Sequence, residues 1–159
     1  MKFLLTLMAL VQGITASSAT RANVKRIVAD PPQNYFCYQI EKQSSVLYFG
    51  YSPPMHSFYH GGVFYFRLVF SDTSGQAPKL IMETPIFHPA FSKDDFKICG
   101  DMFRHIWDRE MNVGSIIKFL DSIFLSPSGS MNSSAATLFD KDASKFEKEA
   151  YIHTAIYAL

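Results

Sequence analysis

Residues 63–70 read VFYFRLVF. Phe64, Phe66, Leu68 and Phe70 fall on one side of an extended chain, and Val63, Tyr65, Arg67 and Val69 on the other. A run with that period is a strand with one face committed to a core. Its neighbours have related compositions. NYFCYQI at 34–40 and VLYFGYS at 46–52 are rich in aromatic and β-branched residues, and PKLIMET at 78–84 forms a fourth run. The links are EKQSS, the loop SPPMHSFYHGG at 52–62 and SDTSGQA, punctuated by proline and glycine. Four short strands on short connections predict an antiparallel meander.

Helical periods flank this block. In SATRANVKRIVAD at 18–30, Val24, Ile27 and Val28 share a side, Arg21, Lys25 and Arg26 lie elsewhere on the surface, and Pro31-Pro32 ends the helix. Val113, Ile116, Ile117, Leu120, Ile123 and Phe124 repeat at helical spacing, with Pro127 and Gly129 as terminators. A short helix is expected at 133–140. Asp142 is placed to cap a last helix that carries Phe146, Ala150, His153 and Tyr157 on one side. Residues 85–111 show no clean period and predict a long irregular segment, the kind that usually carries function. The order is α+β: a helix, four strands, an irregular segment, then helices packed against the sheet.

The chain has 159 residues, room for one domain with a sizeable core, and its fifteen phenylalanines supply much of that core. A formal net charge of +1 gives no reason to expect nucleic acid or an acidic substrate. The two cysteines, Cys37 and Cys99, make no disulfide scaffold and lack zinc-ligand spacing. Neither a metal nor a cofactor is expected. Cys37 reads as a small buried hydrophobe. Cys99 stands inside the irregular segment, flanked by Asp94, Asp95 and Asp101.

Residues 1–17 allow two readings. Lys2, the apolar run from Phe3 to Val11 and the small residues that follow look like a secretory signal, too short to span a bilayer. Cleavage there would make Asn132-Ser133-Ser134 a glycosylation acceptor. The competing reading is an amphipathic or buried leader to the first helix. The expected division is an N-terminal extension over 1–17 and one domain over 18–159, with membrane contact only if the apolar segment is retained.

The order of elements and the marks at 59–107 resemble the ubiquitin-conjugating enzyme (UBC-like) family. The family commonly reads Tyr-x-Gly-Gly-x-Phe at its third strand, and this chain has Tyr59-His60-Gly61-Gly62-Val63-Phe64. A His-Pro pair follows the family's fourth strand, matching His88-Pro89. The family's active-site run is Ile/Val-Cys-Leu-Asp with tryptophan eight residues after the cysteine. Here it is Ile98-Cys99-Gly100-Asp101, with Trp107 at that spacing. Pro31-Pro32 matches the proline pair after the family's first helix. Departures are also plain. Ala90 replaces the asparagine of the usual His-Pro-Asn, and Asp108-Arg109 replace a Ser-Pro after the tryptophan. The proline-rich loop before the fourth strand is reduced to SDTSGQAP, and a later Asp/Asn-rich loop is SPSGSMN. YFG at 48–50, PIFHP at 85–89 and AATLFDKD at 135–142 also resemble the non-catalytic Fused Toes or AKT-interacting variants. Members of that group lack the cysteine that this chain keeps.

The resemblance implies that Cys99 takes ubiquitin or a ubiquitin-like protein as a thioester and passes it to lysine, with His88, Pro89, Asp101 and Trp107 supporting the site; of these, His88 is read as holding the turn before the active loop and Trp107 as a core or packing residue. The nucleophile is a thiolate, which Lys97 and His105 would favour and Asp101 oppose. The family's asparagine is associated with the oxyanion of the second step, and Ala90 has no side-chain donor for it, so loading is expected to survive better than aminolysis. The resemblance also implies contact of Arg21, Lys25 and Arg26 with an activating enzyme, and a cytoplasmic or nuclear location; a true signal at 1–19 would instead imply the secretory pathway. Ordinary ligase recognition is not expected, because the loops that ligases grip are eroded. The alternative is a non-catalytic adaptor or scaffold with the same fold.

Overall fold

The computed structural model describes residues 18–38, 45–71, 75–110 and 112–159. The apolar segment 1–17 and most of the EKQSS turn lie outside the described residues. The elements are α1 (Ser18–Ala29), β1 (Tyr35–Tyr38), β2 (Val46–Tyr51), β3 (Phe64–Val69), β4 (Lys79–Met82), α2 (Gly100–Glu110), α3 (Val113–Leu125), α4 (Ser133–Lys141) and α5 (Ala143–Tyr157). The strands form one antiparallel sheet in the order β1-β2-β3-β4, the expected meander.

The alternation in β3 decides the layering. Phe64, Phe66 and Leu68 are buried, and Tyr65 is exposed on the outer face. Leu47, Phe49, Leu80 and Met82 join them on the inner face, against which α3 lays Val113, Ile116, Ile117, Leu120, Ile123 and Phe124. Edge contacts tie the rings together: Phe124 meets Tyr51, Tyr59 and Phe64 at centroid distances of 5.1, 5.2 and 5.2 Å. Tyr35 and Tyr51 stack at 4.3 Å, and the Tyr35 hydroxyl donates to Asp121 Oδ1 at 2.9 Å, fixing β1 to α3. On the outer face the Phe36 ring covers Gly50, leaving no room for a side chain there.

Gly61 and Gly62 have different tasks. Gly61 has φ +85° and turns the chain. A Cβ on Gly62 would lie 2.6 Å from Thr154 Cγ2 and 2.9 Å from Ala158 Cβ. The pair therefore turns the chain and seats α5 against it, and the Val63 N–H donates to the Ala158 carbonyl at 2.8 Å. This seat explains a one-residue shift in the last helix. Its buried stripe is Phe146, Ala150 and Thr154, continued by Ala158, where Phe146, Ala150, His153 and Tyr157 were expected. Small residues win because the helix approaches backbone.

A second difference is larger. The segment expected to be irregular contains α2, an 11-residue helix. Phe103 and Trp107, one turn apart, are both buried, and Trp107 meets Phe70 edge-on at 6.4 Å. Packing of those two rings outweighs a glycine start and a charged sequence. Asp142 caps α5 as expected, accepting from the Lys145 N–H at 3.1 Å.

Candidate active site around Cys99

The site begins with a buried turn at His88-Pro89-Ala90. His88 is fully buried. Its Nδ1 accepts from the Ala90 N–H at 2.9 Å, so Nε2 carries the proton and donates to the Ile123 carbonyl, also at 2.9 Å. The imidazole is thereby used on both sides as a neutral ring, and burial pushes its pKa down to about 4. Tyr59, from the glycine-pair motif, donates to the Phe87 carbonyl at 2.9 Å. Two marks far apart in sequence thus hold the same turn.

The loop after α3 closes over this turn. The Asn132 N–H donates to the Pro89 carbonyl at 3.1 Å. Gly129, at φ +127°, presses its backbone against Ala90, where an added Cβ would sit 2.7 Å from Ala90 Cα. The Asn132 side chain accepts from the Ala135 N–H at 3.1 Å and caps α4, and the residue is buried. A glycan on that amide does not fit this fold. Gly129, expected only to end α3, and Asn132, expected only as a glycosylation acceptor, have roles at this turn that their motifs did not assign. An Asn before Ser-Ser-Ala-Ala is a helix-cap signal and was legible; the Gly129 contact had no local signature.

Beyond Ala90 the chain makes a tight turn onto the sheet. Phe91 bridges Ile98, and Lys97 bridges Ile81 at the open edge of β4. Phe96 takes φ +53°, a conformation rare for a bulky side chain, and its carbonyl accepts from the Met82 N–H at 3.3 Å. Cys99 follows at once. It is partly exposed, it directly precedes α2, and its carbonyl accepts from the Phe103 N–H at 3.1 Å. The sulfur therefore stands at the start of a helix, where the first N–H groups have no intrahelical acceptor.

A groove of about 390 Å³ is lined by the residues on either side of Cys99, Ile98 and Gly100, with Leu80, Lys97, Phe103 and Met131 among others; Cys99 itself is not part of the lining. The nearby charges are already engaged. Lys97 Nζ lies 2.6 Å from Asp95 Oδ2 and, through that hydrogen bond, holds the Asp95 carboxyl below its ordinary range. Asp101 pairs with Arg104 at 3.0 Å. Lys97 and Asp101 thus face partners of their own, and His105 is exposed. Trp107 is a buried ring packed on Phe70, in the core rather than the groove. Arg21, Lys25 and Arg26 lie on α1, with Lys25 and Arg26 exposed.

Cys37 is a different kind of thiol. Its Sγ donates to the Ile27 carbonyl at 3.0 Å, at the end of α1, and burial pushes its pKa up to about 12. Iodoacetamide on the native protein at pH 8 is therefore expected to label Cys99 and spare Cys37. Peptide mass mapping before and after denaturation checks this; equal labelling of both in the native state would contradict it.

Comparison with known proteins bears on the same residues. Residues 19–154 match the family model described as ubiquitin-conjugating enzyme. Among curated relatives, ubiquitin-conjugating enzyme E2 S of Danio rerio is 27% identical over 139 residues, covering 86% of this chain and 62% of that protein. AKT-interacting protein of Danio rerio is 29% identical over 112 residues, covering 67% of this chain and 38% of that protein. The chain thus spans less than two thirds of either relative. The E2 domain of a Toxoplasma gondii ubiquitin-conjugating enzyme superposes with a TM-score of 0.75 at 20% identity, covering 87% of this chain and 99% of that one, and shares the fold. With the model match spanning helix, meander, cysteine segment and C-terminal helices, the chain belongs to the ubiquitin-conjugating enzyme family.

Proposed function

We propose that this chain is a divergent conjugating enzyme that accepts ubiquitin or a ubiquitin-like protein on Cys99 and passes it to a lysine. The observation that carries this reading is the contrast between the two thiols: both are half-buried, but Cys37 donates its Sγ–H to a carbonyl and is held up in pKa by burial, whereas Cys99 directly precedes α2, between two residues, Ile98 and Gly100, that line a groove. In the first step the Cys99 thiolate attacks the thioester carbonyl presented by an activating enzyme. The new S–C bond forms as that enzyme's own thiol leaves. In the second step a lysine amine attacks and the Cys99 thiolate leaves.

Both steps place negative charge on the carbonyl oxygen. Ala90 is buried and has no side-chain donor, and its N–H is already given to His88. The unpaired N–H groups in the first turn of α2 are the nearest donors along the chain. Loading, driven by an activated thioester, is expected to outlast aminolysis. The exposed Lys25 and Arg26 on α1, with Arg21, support a contact with the activating enzyme.

A second reading has its own observation. Ala90 and the likeness to AKT-interacting proteins favour a non-catalytic adaptor in which Cys99 is unused. One gel separates the two. The protein is mixed with activating enzyme, ATP and ubiquitin, then with other ubiquitin-like proteins, and run without reductant. The enzyme reading expects an adduct that reductant removes and Cys99→Ala abolishes, while Cys37→Ala retains it. No adduct with any modifier would leave the adaptor reading.

A further inference from the structure

A second groove, of about 460 Å³, takes Lys93 and Phe96 of the 93–97 turn into its lining, where the groove next to α2 takes Asp95 and Lys97. Its walls include Phe87, Phe96 and Tyr157, and its polar groups include Lys93, Ser134 and His153. We propose that this groove binds a small carboxylate carried on a flat apolar body. The inference is independent of the chemistry at Cys99.

Three features specify the ligand. The first is size and lining. The volume falls within the range of small-molecule sites, which are mostly apolar with a few placed polar groups. Phe87 and Tyr157 flank the His153 ring at centroid distances of 5.5 and 5.6 Å, forming a ring-lined wall that suits a flat body. The second is charge. Lys93 is exposed and has no ion pair among the described residues, and no carboxylate lines the groove. Ser134 stands in the first turn of α4, where Asn132 already serves the Ala135 and Ala136 N–H groups, leaving those of Ser133 and Ser134 without an intrahelical acceptor. The positive end of the helix and the ammonium favour the same sign of charge.

The third is a deficit. His153 Nδ1 is buried and meets no hydrogen-bond partner among the described residues. Buried polar nitrogens are normally satisfied, and an unsatisfied one calls for an explanation. The residue is half-buried and lines the groove, but Nδ1 itself has no solvent contact in this conformation, so binding includes a turn of the imidazole that brings this nitrogen to a carboxylate entering the groove. A purely apolar occupant would leave Lys93 and Nδ1 as they are, so the charged group is part of the specification.

The test is an NMR titration of the full chain with 3-phenylpropionate, and in parallel with its neutral analogue 3-phenylpropionamide. The signals followed are the ring protons of Phe87, His153 and Tyr157. The expected result is a saturable shift of those signals by the acid and about tenfold weaker binding of the amide. Lys93→Glu, an exposed change that leaves the core intact, is expected to abolish the acid response. His153→Phe keeps the ring packing and is expected to weaken it. Cys99→Ser is expected to bind as the parent does, separating this site from the thioester reading. Equal binding of acid and amide, an unchanged response in Lys93→Glu, or no shift at these rings would overturn the proposal.

Discussion

Gly129→Ala is expected to lower stability on the order of 3–5 kcal/mol, the range reserved for broken backbone or packing rather than lost surface contacts. Two costs add. At φ +127° an L side chain is strained wherever it points. The new Cβ would also lie 2.7 Å from Ala90 Cα, 2.9 Å from Ala90 N and 3.1 Å from the Pro89 carbonyl carbon. All three are backbone atoms of the buried turn, so none yields by a change of rotamer. The 126–132 loop must lift, and the Asn132 to Pro89 hydrogen bond goes with it. Since small domains are stable by only about 5–15 kcal/mol, a large share of the total is at stake. Gly61→Ala and Gly75→Ala are the controls. They share positive φ, at +85° and +84°, but a Cβ there meets nothing within 4 Å, so each should cost only ~1–2 kcal/mol. Urea denaturation of the three variants decides the matter. Equal midpoints would show that the close approach at Ala90 carries no weight.

The second large effect is on pH. His88 is neutral in the fold, with both ring nitrogens engaged and a pKa of about 4 against an ordinary 6.5. Between those values the unfolded chain binds the proton and the folded chain does not. Stability is therefore whole above about pH 6.5, declines as the pH falls, and has lost this contribution below about 4. Converting the gap gives ~3 kcal/mol. Asp95 and Asp142 also sit below their ordinary values, held there by hydrogen bonds to Lys97 and Lys145, so their losses come at lower pH. His88→Gln separates the contributions. Its baseline stability should be lower, because a buried two-sided hydrogen bond is rebuilt imperfectly. Its slope between pH 6.5 and 4.5 should be nearly flat. A slope equal to the parent's would show that other groups drive the acid loss.

Much of the architecture could be read from local pattern because the strands and α3 announced their buried faces. The alternation in β3 and the spacing in α3 correspond residue by residue to the core. The cap at Asp142 followed from its own chemistry. What escaped was decided across the fold. Nothing in GDMFRHIWDRE marks it as strongly helical until Phe103 and Trp107 find the core. The buried stripe of α5 keeps Phe146 and Ala150 but ends on Thr154 and Ala158 in place of His153 and Tyr157, because Gly62, far away in sequence, demands small partners. At the site, His88, Pro89 and Cys99 carried motif spacing. Gly129 carried none, since its conformation matters only against the backbone of Ala90. Trp107 had the spacing of a site residue but was expected to pack in the core, and it does.

The turn at 93–97 lends Lys93 and Phe96 to one groove and Asp95 and Lys97 to the other, and it is fastened to β4 through Ile81 and Met82. The two hollows therefore share one short stretch of backbone in their walls. Any fluctuation that frays the Met82 amide from Phe96 loosens that stretch as a whole, so the mobility of this one sheet margin sets the rigidity of both hollows together.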